Sequence, residues 1–264
     1  MLRIPWFVGY PLVGACGYGV LYLAANRAVY YPSRYPNGWW QVQAQVAATD
    51  VWLRASDGVR LHAWWIESPG ARIATLFLHG NAGNITHRVA HIREITAAGS
   101  SVLVLDYRGY GKSEGRPTER GLYADAEAGY EYLRSLGKPI VAHGESLGSA
   151  VAVDLAAKRP CAGVVLEAPF PSARAVAASV LPVIGPLLIF SYNSASKIQR
   201  VHAPLLFIHG DRDSIVPLEL GRALFNAARE PKAFWTVPGA DHNDLVEAAG
   251  PRYRERLREF YAAL

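Results

Sequence analysis

The pentapeptide Gly144-Glu145-Ser146-Leu147-Gly148 sets one serine between two glycines, directly after the apolar run 139–142 and before the helix-forming run 149–158. A Gly-x-Ser-x-Gly turn between a strand and a helix lifts its serine clear of the backbone, and the cramped flanks need residues without a bulky side chain. A serine hydroxyl is a poor nucleophile on its own. It needs a neutral imidazole to take its proton, an acid to fix the imidazole's tautomer, and two N–H donors for the oxygen that becomes negative. Each part is therefore sought at the end of a different strand.

Of the eight histidines, only His242 lies beyond the last strand-like run, in the polar loop Pro238-Gly-Ala-Asp-His-Asn-Asp244, and it is the candidate base. His79, His143 and His209 end or continue apolar strands, His62 lies in a hairpin strand, and His202 precedes a strand. His87 and His91 stand four apart, as paired metal ligands do, but no third ligand is evident nearby. That pair is expected on a solvated helix face, and no metal is assigned. The acid lies in His209-Gly-Asp-Arg-Asp-Ser-Ile-Val-Pro217, where Asp211 and Asp213 both qualify. A carboxylate at the strand tip tends to hold the turn, so Asp213 is preferred as the partner of His242. Asp211 is then expected to make turn contacts, including with Arg212. The oxyanion donors are expected to be the main-chain N–H groups of Leu147 and Asn81, the latter in the glycine-rich His79-Gly-Asn-Ala-Gly-Asn84.

These residues need a scaffold that brings several strand ends together. Runs at 73–78, 102–105, 140–142, 164–166, 205–208 and 233–237 read as strands buried on both faces. Between them lie helical stretches, including 84–98, 118–136 and 217–228. Such alternation predicts βαβ units and a mostly parallel sheet covered by helices, with reactive loops beyond the carboxyl ends of the strands. Upstream, 51–55 and 59–66 alternate in period two around Ser56-Asp57-Gly58 and read as an antiparallel hairpin.

The motifs His79–Asn84, Asp106-Tyr-Arg-Gly-Tyr-Gly-Lys-Ser113, Gly144–Gly148, His209–Asp213 and Asp241-His242, in the order Ser, Asp, His, together resemble α/β-hydrolases. The branch most similar is that of membrane-tethered serine hydrolases, which includes protein depalmitoylases, small esterases and serine-aminopeptidase-like domains. The resemblance runs from about Val51 to the carboxyl terminus. It implies an eight-stranded, mostly parallel sheet with helices on both faces and a cofactor-free carboxylesterase or thioesterase acting through an acyl-enzyme. The motif at 106–113 is implied to be a turn beside the site, outside the catalytic machinery. Residues 169–200 fall where the family inserts lids, and the apolar run at 180–190 reads as an acyl-pocket wall or a short helix on the core. An aminopeptidase-like amide hydrolase is the alternative, and a non-catalytic membrane-anchored scaffold the next. Ser146 closes the route of relatives that carry an aspartate as nucleophile.

Composition sets the remaining bounds. The chain has 264 residues, 51% of them hydrophobic, and a net charge of +5 with arginines interleaved with acids, which disfavours a nucleic-acid partner. Cys161 and Cys16 are the only cysteines, so residues 31–264 hold no internal disulfide. From Ile4 to Ala25 run 22 uncharged residues bracketed by Arg3 and Arg27, enough at 1.5 Å per residue to cross a hydrocarbon layer of about 30 Å. Residues 1–30 are therefore expected to be a membrane anchor. Arginines on both flanks leave its orientation open, Leu12-Val-Gly-Ala-Cys16 offers a competing lipoprotein-signal reading, and a cleaved signal or loosely packed arm is the third. Residues 31–48 are expected to be a linker and 49–264 the catalytic domain. The expected substrate is a small or lipid-like acyl ester or thioester met at a membrane surface.

Overall fold

The computed structural model describes residues 6–264, with side chains from residue 17 onward. Eight strands form one sheet: β1 (Thr49–Arg54), β2 (Arg60–Ile66), β3 (Ile73–Leu78), β4 (Ser100–Leu105), β5 (Ile140–Glu145), β6 (Gly163–Glu167), β7 (Leu205–Gly210) and β8 (Lys232–Val237). Their spatial order is β8-β7-β6-β5-β3-β4-β2-β1. The first two strands form the expected hairpin, turning at Gly58 with φ +88°, a conformation glycine adopts without a Cβ penalty. Strand β2 is antiparallel to β4, and every pairing from β4 to β8 is parallel.

Alternation along each strand sends side chains to two cores. From β3, Leu76 and Leu78 join one core, while Ile73 and Phe77 join the other. The first core is covered by α3 (Glu119–Ser135), α4 (Leu147–Ala156) and α7 (Leu218–Ala227), the second by α2 (Val89–Ala97), α8 (Leu245–Ala249) and α9 (Pro251–Ala262). Helices on both faces explain why the inner strands are apolar throughout. Strand β8 departs from that expectation. It is an edge strand paired only with β7, and most of its residues stay half-exposed.

The helix expected over 84–98 is broken. A 3₁₀ turn spans Ile85–His87, and α2 starts only at Val89. Asn84 caps the turn with an extended backbone and a side chain that accepts the N–H of Thr86, and Arg88, at φ −110° and ψ 16°, separates the turn from α2. His87 is consequently not on α2, and His91 points inward to Glu167 (3.1 Å). The expected solvated histidine face is corrected: one ring caps a turn and the other is drawn into a buried ion pair.

Residues 31–48, expected as a linker, run along the domain. Tyr31–Pro32 pairs in parallel with Ala82–Gly83, and the 3₁₀ helix Trp40–Val46 sets Trp40 against Trp64. Ahead of them α1 spans Trp6–Arg27. The anchor expectation for residues 1–5, and for side chains through Cys16, lies outside the described residues. Among the described residues no helix is long and apolar enough to cross a membrane. The insertion at 169–200 holds two short helices, α5 (Ala173–Val180) and α6 (Gly185–Leu188), which leave Val180, Leu181, Val183 and Ile184 exposed.

Candidate active site

The turn from β5 into α4 carries Ser146 at φ +51°, ψ −114°, a backbone that side chains other than glycine's rarely adopt. Close packing explains its glycines. A Cβ on Gly144 would lie 2.2 Å from the Gly148 carbonyl oxygen, and one on Gly148 would lie 1.8 Å from that of Leu78. The Ser146 N–H donates to the Glu167 carbonyl at 2.9 Å, pinning the strained turn to the neighbouring strand.

His242 comes from the loop after β8 and meets the serine, its Nε2 lying 2.9 Å from Ser146 Oγ. Its Nδ1 lies 2.8 Å from Asp213 Oδ2. The other Asp213 oxygen accepts the N–H groups of Ile215 (3.0 Å) and Val216 (2.7 Å). Burial alone would raise the Asp213 pKa. Hydrogen bonds from His209, His242 and Val216 reverse that and hold the carboxyl well below its usual range. An ionised carboxylate only accepts, so the imidazole proton sits on Nδ1, and Nε2 is left to accept the serine O–H. Asp211 instead accepts the N–H of Gly239 (2.6 Å), so its turn contact is not with the neighbouring Arg212. Asp241 holds the histidine loop by accepting from the N–H groups of Ser214 and His242.

Asn81 and Leu147 line the same cavity as Ser146. Among the described residues, neither backbone N–H donates to another protein group. The Asn81 side chain has a separate task, donating to the Val29 carbonyl at 3.0 Å. Tyr110, from the 106–113 turn, donates its hydroxyl to the Asn81 carbonyl at 2.7 Å and so braces this loop. The turn itself is locked by Arg108, which pairs with both Asp57 and Asp125.

Behind the serine lies a polar cluster that the motif search did not find. Glu167, buried at the end of β6, is bonded by His143, His91 and the Tyr253 hydroxyl. Burial raises its carboxyl pKa, but the two imidazoles outweigh that and hold it low. Glu145 pairs with Arg88 at 2.8 Å and accepts the Gly80 N–H. The available signal was a lone acid ending the apolar run Val164-Val-Leu-Glu167, since a charge there must be paired.

A cavity of about 360 Å³ opens beside Ser146. Its walls are mostly apolar, contributed by Phe170, α5, α6, Ile215 and the end of α1, with no acidic side chain among the described residues. The arrangement is fit for acyl transfer: a nucleophile, its base, an orienting acid, two free N–H donors and an apolar pocket.

Comparison with known proteins identifies the family. Residues 69–195 match the family described as serine aminopeptidase, S33. An uncharacterized protein of Mycobacterium tuberculosis is 41% identical over 243 residues, covering 89% of this chain and 86% of that protein. Human alpha/beta hydrolase domain-containing protein 17B is 36% identical over 214 residues, covering 78% of this chain and 73% of that one. Among solved structures, an esterase of Pyrococcus furiosus superposes with a TM-score of 0.75 over 89% of this chain and 98% of its own, at 23% identity, which speaks for the fold alone. Sheet order, nucleophile turn and extended sequence identity converge: this chain belongs to the α/β-hydrolase family of hydrolases.

Proposed function

We propose that the chain is a serine hydrolase that cleaves carboxylic esters or thioesters through Ser146, His242 and Asp213. The Ser146 oxygen attacks the acyl carbonyl while His242 Nε2 takes its proton. The N–H groups of Asn81 and Leu147 stabilise the resulting oxyanion. Collapse of the tetrahedral intermediate expels the alcohol or thiol, which receives the proton from His242, and leaves an ester on Ser146. Water, deprotonated by the same imidazole, then releases the acid. The observation that carries this reading is the continuous chain of hydrogen bonds from Asp213 through His242 to Ser146, at 2.8 and 2.9 Å, facing an apolar cavity.

A fluorophosphonate probe should label the wild type and leave Ser146→Ala unlabelled. The same substitution should lower turnover by about three to six orders of magnitude. Equal labelling of both proteins, or none of either, would refute the assignment. Amide cleavage of the kind named by the matching family is the second reading. Among the described residues the cavity lining is mostly apolar and holds no carboxylate to grip a free α-amine, which favours acyl esters. Acyl esters compared with aminoacyl-naphthylamides separate the two. The uncharged run from Ile4 to Ala25 supports membrane attachment through the amino terminus, where a lipid-like substrate would be met.

A further inference from the structure

We propose that the last turn of α1 and the two residues after it are one wall of the acyl-binding site, so that the amino-terminal helix selects the acyl chain as well as holding the protein. The proposal rests on the serine-hydrolase reading above. Ala25, Ala28 and Val29 line the cavity that contains Ser146, together with Ala173, Ala177 and Leu181 of the insertion. Alanines of both segments leave room between them, and the rest of the lining is mostly aliphatic, which suits an aliphatic chain. A charged group would meet a lining whose polar side chains, among the described residues, are those of Tyr31, Asn81 and Ser146.

The wall is fixed at both of its edges. Toward the insertion, the Tyr18 hydroxyl donates to the Leu187 carbonyl (2.7 Å) and Asn26 Nδ2 to that of Leu188 (2.9 Å). Tyr30 and Tyr192 join through their hydroxyls at 2.8 Å. Toward the chemistry, Asn81 Nδ2 donates to the Val29 carbonyl, so the residue offering an oxyanion N–H also grips the segment leaving α1. The far wall is equally set. A Cβ on Gly185 would lie 2.3 Å from the Ala177 carbonyl oxygen, so α5 and α6 touch backbone to backbone. Asn81 thereby places the acyl chain and the oxyanion site in one frame, with α1 as the outer side.

The test is a series of p-nitrophenyl esters, from acetate to decanoate, on the purified full chain and on Ala25→Phe, Ala28→Phe and Val20→Phe. Each methylene pushed out of an apolar site weakens transition-state binding about fourfold. The two cavity variants should therefore lower the decanoate-to-acetate ratio of kcat/KM by about tenfold or more. Val20→Phe, which adds bulk at a position exposed on α1 and away from the cavity, should keep the wild-type ratio. Two cavity variants protect the test against one that does not fold. An unchanged ratio in both folded cavity variants, or an equal fall in Val20→Phe, overturns the proposal. Failure of the wild type to hydrolyse any ester in the series instead refutes the serine-hydrolase reading, and the inference with it.

Discussion

Of the two carboxylates in the turn after β7, Asp213 reaches His242 and Asp211 stops at the Gly239 N–H. Two residues of separation decide this, because the first acid still sits over the strand end and the second stands beyond it. Asp213→Asn should therefore lower kcat by about 10⁴-fold with the fold retained, since an amide donor would force the imidazole into the wrong tautomer. Circular dichroism alongside kcat measurement checks both halves, and Asp211→Asn should fall far short of that loss. The position of Asp213 was legible in the sequence to within two candidates. Its place beyond the strand tip already favoured it over Asp211, while the 2.8 Å contact with His242 is a distance no local spacing contains. The Asn81 side chain was not legible at all, because its partner, Val29, lies 52 residues away in the chain.

Among the elements, β6 does more than fill the sheet. Its last residue accepts the Ser146 N–H through its carbonyl and anchors His91, His143 and Tyr253 through its carboxylate. Burial disfavours a charged His91, but the Glu167 carboxylate outweighs that and lifts its pKa, with Glu145 adding to the lift and Arg88 opposing it. A raised histidine contributes stability fully below its ordinary value of about 6.5, and that contribution is lost as pH rises through the raised value. Glu167 is held low, so its contribution is complete above about pH 4.3 and is lost only on acidification. Unfolding free energy from the cluster should thus be highest between about pH 4.3 and 6.5 and decline toward pH 9. His91→Gln should flatten the alkaline decline at a cost of about 1–3 kcal/mol near pH 6, read from denaturant melts across pH. The hairpin and six further strands were readable from their apolar runs. The break between the 3₁₀ turn and α2 was not, because nothing in the local composition of 84–98 marks Arg88, where the backbone leaves helical geometry.

For the whole molecule, α1 and the insertion at 169–200 form one roof over the serine side of the domain. Tyr22 and Phe190 approach with ring centroids 6.4 Å apart, and the polar ties from Tyr18 and Asn26 reinforce the contact. Exposed Leu21 and Leu23 on α1 and Val183 and Ile184 on the insertion give this roof an apolar outer surface. If that surface and the run ahead of it attach the protein to lipid, the full chain should stay in the membrane pellet after a high-salt wash. Deleting residues 1–27 should shift a substantial share to the supernatant. Equal partition of the two would refute the proposed anchoring. Composition showed an uncharged run long enough to span and an apolar run at 180–190, and each was open to a plainer reading taken alone.

The sequence by itself determined the fold class and singled out Ser146, His242 and Asp213 as the residues proposed for the chemistry. Those depend on patterns local to a few residues: period-two and buried strands, a glycine-flanked turn, and polar loops after strand ends. Tertiary structure decided how near Asp213 comes to His242, what the Asn81 side chain holds, why Glu167 is charged inside the sheet and what walls the cavity. Each of these joins groups brought together by chain reversals between distant segments. A contact of that kind leaves no spacing in the sequence from which it can be read.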